Sequence, residues 1–260
     1  MHGGYAIDVR VRRKAFALPR GPARVVLRDV AFTAHPGEIL AVLGRSGTGK
    51  STLLRLTLGL DRDFEGTVFL PRRRTGVVFQ EPRLLPWLTV AGNLRLVVTD
   101  TVPEPDIPAL LDAVGLAGAA GLLPRELSLG MARRAAIARA LAVDPAILVL
   151  DEPFVSLDRR LAGEIAALLA RRARQHHGTM LLATHDLDQA LAIADRILVL
   201  HGHPATLAAD LAVPDPKDGE AAGRFKRDLL ARFAFLDEAP DDALAAHPPP
   251  RRAISPSAGS

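Results

Sequence analysis

The chain has 260 residues, 48% of them apolar, and its 33 Lys and Arg residues against 29 acids give a formal charge of +4. The absence of cysteine excludes disulfides and thiolate metal sites, and it fits a reducing compartment. The arginines are scattered and only 4% of residues are aromatic, so nucleic acid is not an expected partner.

The elements predicted along the chain alternate between apolar strands and amphipathic helices. The predicted strands are residues 23–34, 38–43, 66–69, 75–79, 146–150, 179–184 and 196–200, and the predicted helices are about 50–60, 158–177, one between the last two strands, and about 219–236. This alternation predicts a parallel sheet. Residues 81–142 have a helical pattern with Pro and Gly punctuation, so we expect an inserted helical subdomain there.

A glycine-rich loop separates the strand EILAVL from the helix STLLRLTLGL, and its sequence GRSGTGKS fits the phosphate-loop pattern. Glycines let backbone N–H groups turn toward phosphate oxygens, and the helix start adds partial positive charge. Lys50 is expected to reach the β- and γ-phosphates, and the Ser51 hydroxyl to bind Mg²⁺. The alternative, a Gly-rich turn with an exposed lysine, suits this strand–loop–helix context poorly. The predicted nucleotide-binding residues of this loop are Gly44, Arg45, Ser46, Gly47, Thr48, Gly49, Lys50, Ser51 and Thr52.

Two carboxylates follow the apolar run AILVL, at Asp151 and Glu152. The carboxyl end of a parallel strand is where such a sheet binds its ligand. We expect Asp151 to hold Mg²⁺ and Glu152 to polarise the water that attacks the γ-phosphate. The alternative is a helix N-cap acid followed by a first-turn Glu, and the nearby phosphate loop disfavours it.

His185 and Gln80 also follow predicted strands, TMLLAT and TGVVF. A neutral His185 could bond the γ-phosphate and sense its loss, although a lone histidine is more often structural. Gln80 could reach Mg²⁺ or the attacking water, although a glutamine at a strand end is usually only solvated.

Residues 126–141 read ELSLGMARRAAIARAL, with Ser128 and Gly130 just ahead of a helical run. The simple interpretation is an N-cap and an ordinary helix. The alternative is a helix start that holds a phosphate whose main binding site lies elsewhere.

Together these segments resemble an ATP-binding cassette (ABC) ATPase, the nucleotide-binding subunit of an ABC transporter. The resemblance covers about residues 8–205. It runs through GRSGTGKST, VFQEPRLLPWLTV, ELSLGMARR, ILVLDEPF, SLD and THD, in the family's order. The sequences VFQEPRLLPWLTV and DEPFVSLD are similar to those of importer ATPases of the nitrate/sulfonate/taurine group.

The resemblance implies the fold class: an α/β fold with a P-loop NTPase parallel sheet, an amino-terminal antiparallel β subdomain and an inserted α-helical subdomain. We expect an ATPase domain over residues 1–215 with the insertion at 80–142, a helical extension at 216–239 and a disordered tail at 240–260.

In the family, two subunits pair head-to-tail and each ATP lies between the phosphate loop of one and the signature segment LSGGQ of the other. Here the signature segment is residues 127–131, LSLGM, which keeps Ser128 and Gly130. Leu129 and Met131 depart from the family, and we expect changed ribose contacts and turnover rather than lost phosphate contact. Leu129 should begin an ordinary helix, because a leucine avoids positive φ.

Three further positions carry over from the family. Phe16 matches the aromatic that stacks on adenine; the alternative is an edge-strand phenylalanine packed on the sheet. Asp158 matches the loop where the two subunits touch, and it also suits a helix N-cap. The single tryptophan, Trp87, lies in an apolar segment. It is expected either to line a groove for a helix of the membrane partner or to lie in the subdomain core.

The resemblance predicts the ATPase subunit of a membrane transporter, using ATP and Mg²⁺, with Glu152, His185 and Gln80 at the reaction centre. We expect an importer of a small anionic solute, working as a homodimer or ABC heterodimer with integral-membrane permease subunits and, indirectly, a solute-binding protein. It would be peripheral, on the cytoplasmic face of the inner membrane, because no apolar run approaches the ~18 residues of a membrane span and no signal peptide is evident.

Three alternatives stay open at this point. An ATPase of a lipid-transport ABC complex has similar signature wording. A soluble ABC ATPase acting on DNA or ribosomes would usually carry coiled-coil inserts or tandem cassettes. A P-loop small-molecule kinase would explain Lys50 and Asp151 but leaves the ELSLGMARR segment and His185 without a role.

Overall fold

The computed structural model describes residues 6–98, 104–175, 177–215 and 219–236. The strands are β1 (Ile7–Phe16), β2 (Arg24–Ala34), β3 (Ile39–Leu43), β4 (Glu65–Phe69), β5 (Thr75–Val78), β6 (Ile147–Asp151), β7 (Thr179–Thr184), β8 (Arg196–His201) and β9 (Thr206–Ala212). The α-helices are α1 (Lys50–Thr57), α2 (Val90–Arg95), α3 (Ile107–Ala113), α4 (Leu129–Ala142), α5 (Arg159–Gln175), α6 (Leu187–Ile193) and α7 (Gly219–Arg232). Short 3₁₀ turns lie at Pro124–Glu126 and Ala234–Leu236. The tail expected at 240–260 lies outside the described residues.

Five strands form a parallel sheet in the order β5-β6-β7-β3-β8, and β9 adds an antiparallel edge strand beside β8. The runs ILAVL, ILVLD and TMLLAT are buried along their whole length, as expected of strands that helices cover on both faces. A second, antiparallel sheet has the order β2-β1-β4. The predicted fold class, a parallel core with an antiparallel β sheet, is therefore confirmed.

Strands β1 and β9 were absent from the sequence-based element list. In β1 the buried Ile7, Val9 and Val11 alternate with polar residues, a period-two pattern that could have identified a strand. Strand β9 reads TLAADLA and has no such alternation, because it is a half-buried edge. Strand β1 is the middle strand of its sheet, but its pairing with β4 ends at Arg13, so Phe16 at the end of β1 is paired with β2.

The helical residues between β5 and β6 share one apolar core with the parallel sheet, in which Leu94, Leu111 and Ile137 contact the cluster around β3 and β6. Helix α4 lies directly on β5. A Cβ atom on Gly76 would be only 2.4 Å from the carbonyl oxygen of Ala140, so no other residue fits there. Close approach of this kind fixes the position of α4 against the sheet edge. Within the described ranges, no helix is long and apolar enough to cross a membrane.

The register of the parallel strands decides where the polar residues gather. Leu43 pairs with Thr184, Asp151 with Ala183, and Val78 with Leu150. The strands β3, β5, β6 and β7 therefore end at the same edge of the sheet, and the loops that follow them share one crevice.

Candidate functional site

The loop at residues 44–51 is a tight cradle between β3 and α1. Gly47 and Gly49 have φ values of +79° and +98°, which favour glycine. At Gly44, a Cβ atom would lie 2.8 Å from both the Leu200 carbonyl oxygen and the Thr48 hydroxyl, so the backbone tolerates no side chain there. Thr48 donates its hydroxyl to the Arg45 carbonyl at 2.8 Å. This bond joins two points of the loop backbone, and residues 45–47 are exposed at the rim of the loop.

Lys50, the first residue of α1, points into this cradle and is only 5% exposed. Its ammonium donates to the carbonyl oxygens of Gly44 at 2.8 Å and Arg45 at 3.2 Å. It also forms an ion pair with Glu152, with 3.2 Å between Nζ and Oε1. The sequence predicted this lysine in the loop but not its partner, which lies about a hundred residues further along the chain.

Ser51 and Asp151 meet at the base of the same crevice. The Ser51 hydroxyl donates to Asp151 Oδ1 at 3.0 Å. Burial raises the pKa of Asp151, and the nearby Glu152 charge adds to this, while the Ser51 hydrogen bond and Lys50 oppose it. A hydroxyl beside a buried carboxylate is a donor set that suits Mg²⁺, which takes oxygen ligands and usually one or two carboxylates. The residues present therefore fit the predicted metal, which Ser51 and Asp151 would hold from this chain.

Glu152 stands at the centre of the site and is 8% exposed. Its φ of +49° is unusual for a non-glycine residue, and its N–H donates to the Ala183 carbonyl of the neighbouring strand at 2.9 Å. Its Oε2 lies 2.9 Å from His185 Nδ1. Burial alone would raise the pKa of Glu152, but the His185 hydrogen bond and the Lys50 charge outweigh it and hold that pKa below its usual value. The carboxylate is therefore ionised near neutral pH.

His185 and Gln80 also lie at this edge of the sheet, and they differ in how they contact the site. The hydrogen bond with Glu152 raises the pKa of His185, although burial works against it. The ring is thus held by the carboxylate, and its predicted contact with the γ-phosphate stays a prediction. Gln80 is exposed and lies two residues beyond β5, whose last residue pairs with β6, so it projects from the same edge of the sheet.

The start of α4 behaves as an N-cap, as the simple interpretation of ELSLGMARR predicts. The Ser128 hydroxyl accepts from the Met131 N–H at 3.2 Å, and Leu129 begins the helix with ordinary negative φ. Ser128 is exposed, and the Leu129 side chain is 55% exposed. The segment is presented on the surface, and its predicted contact with a phosphate of a second chain stays a prediction.

Asp158 and Phe16 have well-defined local roles. The Asp158 carboxylate accepts from the Leu161 N–H at 2.9 Å, which confirms the N-cap of α5. Phe16 is 41% exposed, and Lys14 Nζ lies 4.6 Å from its ring centroid. Phe16 pairs with Arg24 at the start of β2, and its predicted stacking on adenine stays a prediction.

Sequence reasoning missed two groups near this edge. Arg133 of α4 donates to the Val155 carbonyl and to the Ser156 hydroxyl, just after Glu152. Asn93 is fully buried and bonds the chain at residues 85–89. Neither stood out in the sequence, because an arginine or asparagine within a helix has no motif of its own.

Comparison with known proteins agrees with this geometry. The ABC transporter family matches residues 27–155. The aliphatic sulfonates import ATP-binding protein SsuB 2 of Pseudomonas syringae pv. tomato (strain ATCC BAA-871 / DC3000) is 44% identical over 228 residues, covering 87% of this chain and 94% of that protein. SsuB 2 of Burkholderia cenocepacia (strain HI2424) is 42% identical over 249 residues, covering 91% and 90%.

Solved structures agree as well. The dimeric post-hydrolysis state of the ATP-binding cassette MJ0796, bound to ADP and Pi, superposes with a TM-score of 0.72 at 26% identity. The match covers 80% of this chain and 99% of that one. The fold thus has counterparts among solved cassettes, and the chain belongs to the ABC transporter family.

Proposed function

We propose that this chain binds and hydrolyses ATP as the nucleotide-binding subunit of an ABC importer for small anionic solutes of the sulfonate type. One observation carries the ATPase part: Glu152 lies within bonding distance of both Lys50 and His185, directly behind the phosphate loop. A lysine placed for phosphates and a carboxylate placed for water are what γ-phosphate hydrolysis requires.

The ion pair between Lys50 and Glu152 suggests how nucleotide arrival prepares the base. A triphosphate in the loop would compete with the backbone carbonyls and Glu152 for the Lys50 ammonium. When Lys50 turns to the phosphates, Glu152 loses one of the two cations that lower its pKa. Its basicity rises at the moment when a water molecule must be polarised.

His185 and Gln80 would act beside this base. His185 keeps one oxygen of the Glu152 carboxylate fixed, so that the other can face water. A bound Mg²⁺ would neutralise charge that develops on the phosphate oxygens. Ser51 and Asp151 would hold it from within the chain, with Gln80 as a further oxygen donor from the neighbouring strand.

Each site needs a second copy of the cassette in this proposal. Ser128 and Gly130 lie at the exposed start of α4, where a hydroxyl, an unshielded N–H and the helix dipole can all meet a phosphate of the partner's nucleotide. Asp158 lies in the loop after Glu152, where the two copies would touch. Met131 has no hydrogen-bonding group for a ribose, so we expect the departures in this segment to affect turnover.

The membrane partner would contact the surface around Trp87. This side chain is 71% exposed, which rules out the subdomain core. A bare tryptophan on a rigid segment suits an apolar contact with a helix of the permease. The chain would then sit peripherally on the cytoplasmic face of the inner membrane.

The choice of solute follows from the relatives alone. The SsuB proteins named above import aliphatic sulfonates, and they match this chain over most of its length. Neither the lipid-transport nor the soluble-ATPase alternative is favoured by these matches. The solute itself would be selected by the permease and the solute-binding protein, so the sulfonate class belongs to the proposed complex.

Substitution of the base tests this function. The Glu152→Gln variant should lose turnover to below about a hundredth of the wild-type rate and should accumulate as an ATP-bound dimer. Turnover is measured by phosphate release, and dimer formation by light scattering after gel filtration with ATP. Glu164→Gln, an exposed change on α5, is the matched control and should behave like wild type. Normal hydrolysis by Glu152→Gln would show that another group is the base.

A further inference from the structure

Three arginines of α4 each bind a different loop through backbone carbonyl oxygens. Arg139 donates to Pro82 and Arg83, in the segment after β5, at 2.9 and 2.7 Å. Arg134 donates to the carbonyls of residues 114 and 115, after α3. Arg133 donates to the loop at residues 153–158 that follows Glu152. The helix that begins with the signature segment is therefore fastened at three places along its length.

The Arg133 contact differs from the other two because its loop directly follows Glu152, the proposed base. One nitrogen, Nη1, lies 2.5 Å from the Val155 carbonyl oxygen and 2.7 Å from the Ser156 hydroxyl. The Nε atom of Arg133 is buried and has no hydrogen-bond partner within the described part of the chain. An unmatched buried N–H is costly, and the two Nη1 contacts are the hydrogen bonds that offset this cost and hold the side chain in place.

The loop that Arg133 holds is strained and short. Ser156 has a φ of +67° and Glu152 one of +49°, both unusual for residues with side chains. The loop ends at Asp158, which caps α5. It also touches the signature segment directly, since a Cβ atom on Gly130 would lie 3.3 Å from the Ser156 carbonyl oxygen. The loop is thus fixed at both ends and pressed against α4 in the middle.

We propose that Arg133 is a positioning residue that locks the 153–158 loop to the start of α4, so that the signature segment and the chain's own Glu152 move as one unit. In the proposed dimer, the signature segment acts on the partner's nucleotide while Glu152 acts on the chain's own. Arg133 therefore couples the two nucleotide sites through a single side chain. This inference rests on the proposed function and adds the means by which one site affects the other.

The charge of Arg133 adds to its geometric role. Burial lowers its pKa, while the charge of Glu152 acts in the opposite direction, so the two groups are electrostatically linked. A neutral residue of similar length could keep part of the hydrogen bonding but not this field. Arg133→Lys keeps the charge, and Arg133→Gln removes it.

The test compares Arg133→Gln with Arg134→Gln in steady-state hydrolysis. Arg134 is the comparison variant, because it is the adjacent arginine and also binds backbone carbonyls: those of residues 114 and 115 after α3 and, at 3.4 Å, that of Gly130 within its own helix, but it has no described bond to the 153–158 loop. For Arg133→Gln we expect kcat to fall about tenfold, with KM changed less than about twofold and the ATP cooperativity of hydrolysis lost. Arg133→Lys should recover part of both kcat and cooperativity. Arg134→Gln should keep the cooperativity.

Binding of a fluorescent ATP analogue to the monomer separates positioning from folding. The Arg133→Gln monomer should bind it with wild-type affinity, because the phosphate loop is untouched. Equal losses of kcat in the two Gln variants, or retained cooperativity in Arg133→Gln, would refute the positioning role. If Arg133→Gln does not fold, Ser156→Ala removes one partner of Nη1 and should reduce kcat about threefold with reduced cooperativity; unchanged kinetics there would refute it. A wild-type protein without ATPase activity would instead overturn the proposed function itself.

Discussion

The two oxygens of the Glu152 carboxylate are held by two different basic side chains. Lys50 takes Oε1 and His185 takes Oε2, and the carboxylate is nearly fully buried between them. A buried carboxylate with no partner would be expensive, so this pairing is what keeps Glu152 ionised inside the crevice. Asp151, which has a single hydroxyl partner, shows the opposite tendency, because burial raises its pKa. Adjacent acids thus differ in their environment and are suited to different tasks.

The His185–Glu152 bond predicts a pH dependence of stability. Because the folded-state pKa of His185 is raised, the protonated ring stabilises the folded state fully below the unfolded-state pKa of about 6.5. That stabilisation is lost as the pH rises through the folded-state pKa. We therefore expect the free energy of unfolding of the wild type, relative to His185→Gln, to decrease by on the order of 1 kcal/mol from pH 6 to pH 8.

Urea unfolding of both proteins at several pH values, without nucleotide, measures this difference. The substitution His177→Gln is the control, since His177 is an exposed histidine away from the crevice. A wild-type to His185→Gln difference that stays constant, or grows with pH, would show that Glu152 does not hold the protonated ring.

The individual residues of the site were predictable where a local pattern defines them. Lys50 and Ser51 belong to a contiguous loop, and Asp151 and Glu152 end an apolar strand, so short stretches of sequence were sufficient. The partnership of Lys50 with Glu152 was not predictable, because it depends on the order and register of β3, β7 and β6. The hold of Arg133 on the 153–158 loop depends likewise on how α4 lies on the sheet.

At the level of elements, the segment between β5 and α2 gets its shape from one buried amide. Asn93 accepts the Leu85 N–H at 2.7 Å and donates to the carbonyls of Leu85, Leu88 and Thr89 at 3.0–3.2 Å. These contacts of a single fully buried side chain, in which two amide N–H groups are shared among three carbonyls, replace the secondary structure that this segment lacks. They hold Trp87 outward on a rigid turn.

We predict that Asn93→Ala loosens this segment and destabilises the protein by about 2–4 kcal/mol, since it leaves several buried backbone groups unpaired. The single tryptophan is a convenient reporter, because emission and acrylamide quenching then describe the segment alone. Arg95→Ala, an exposed change on the same helix, is the control and should leave both quantities unchanged. Wild-type quenching in Asn93→Ala would mean that the amide does not hold the segment.

Elements with a clear apolar period were predictable, and those defined by tertiary contacts were not. The buried strands β3, β6 and β7 match their predicted ranges to within one or two residues. Helix α1 ends at Thr57, earlier than the predicted residue 60, because Gly59 has a φ of +67° and closes the turn. The turn at residues 85–89 depends on Asn93, which no local pattern connects to it.

At the level of the whole molecule, the residues proposed to contact nucleotide lie on two separate surfaces. Lys50, Ser51, Asp151 and Glu152 line the crevice at the sheet edge, whereas Ser128 and Gly130 stand at the exposed start of α4. In the proposed arrangement, the crevice of one chain supplies part of the phosphate contacts and its exposed α4 start supplies others to a second chain. A head-to-tail pair of cassettes would bring the two together, and MJ0796, with a TM-score of 0.72, is a dimer in its solved structure.

The last prediction tests whether the crevice and the exposed start of α4 serve two different nucleotides. The test uses the Glu152→Gln variant, which should accumulate the closed dimer. In that background, Ser128→Arg places a long cationic side chain at the helix start, where a phosphate of the partner's nucleotide would otherwise fit closely. We expect ATP-dependent dimer formation to be lost, while the isolated monomer binds a fluorescent ATP analogue within about twofold of the unsubstituted affinity, because its own phosphate loop is intact. Ser128→Ala is the control: it loses the N-cap bond, about 1 kcal/mol, but leaves room for the nucleotide, so its dimer should weaken without vanishing. If Ser128→Arg instead abolished binding to the monomer, Ser128 would have to serve the site of its own chain, and the shared-site arrangement would be wrong.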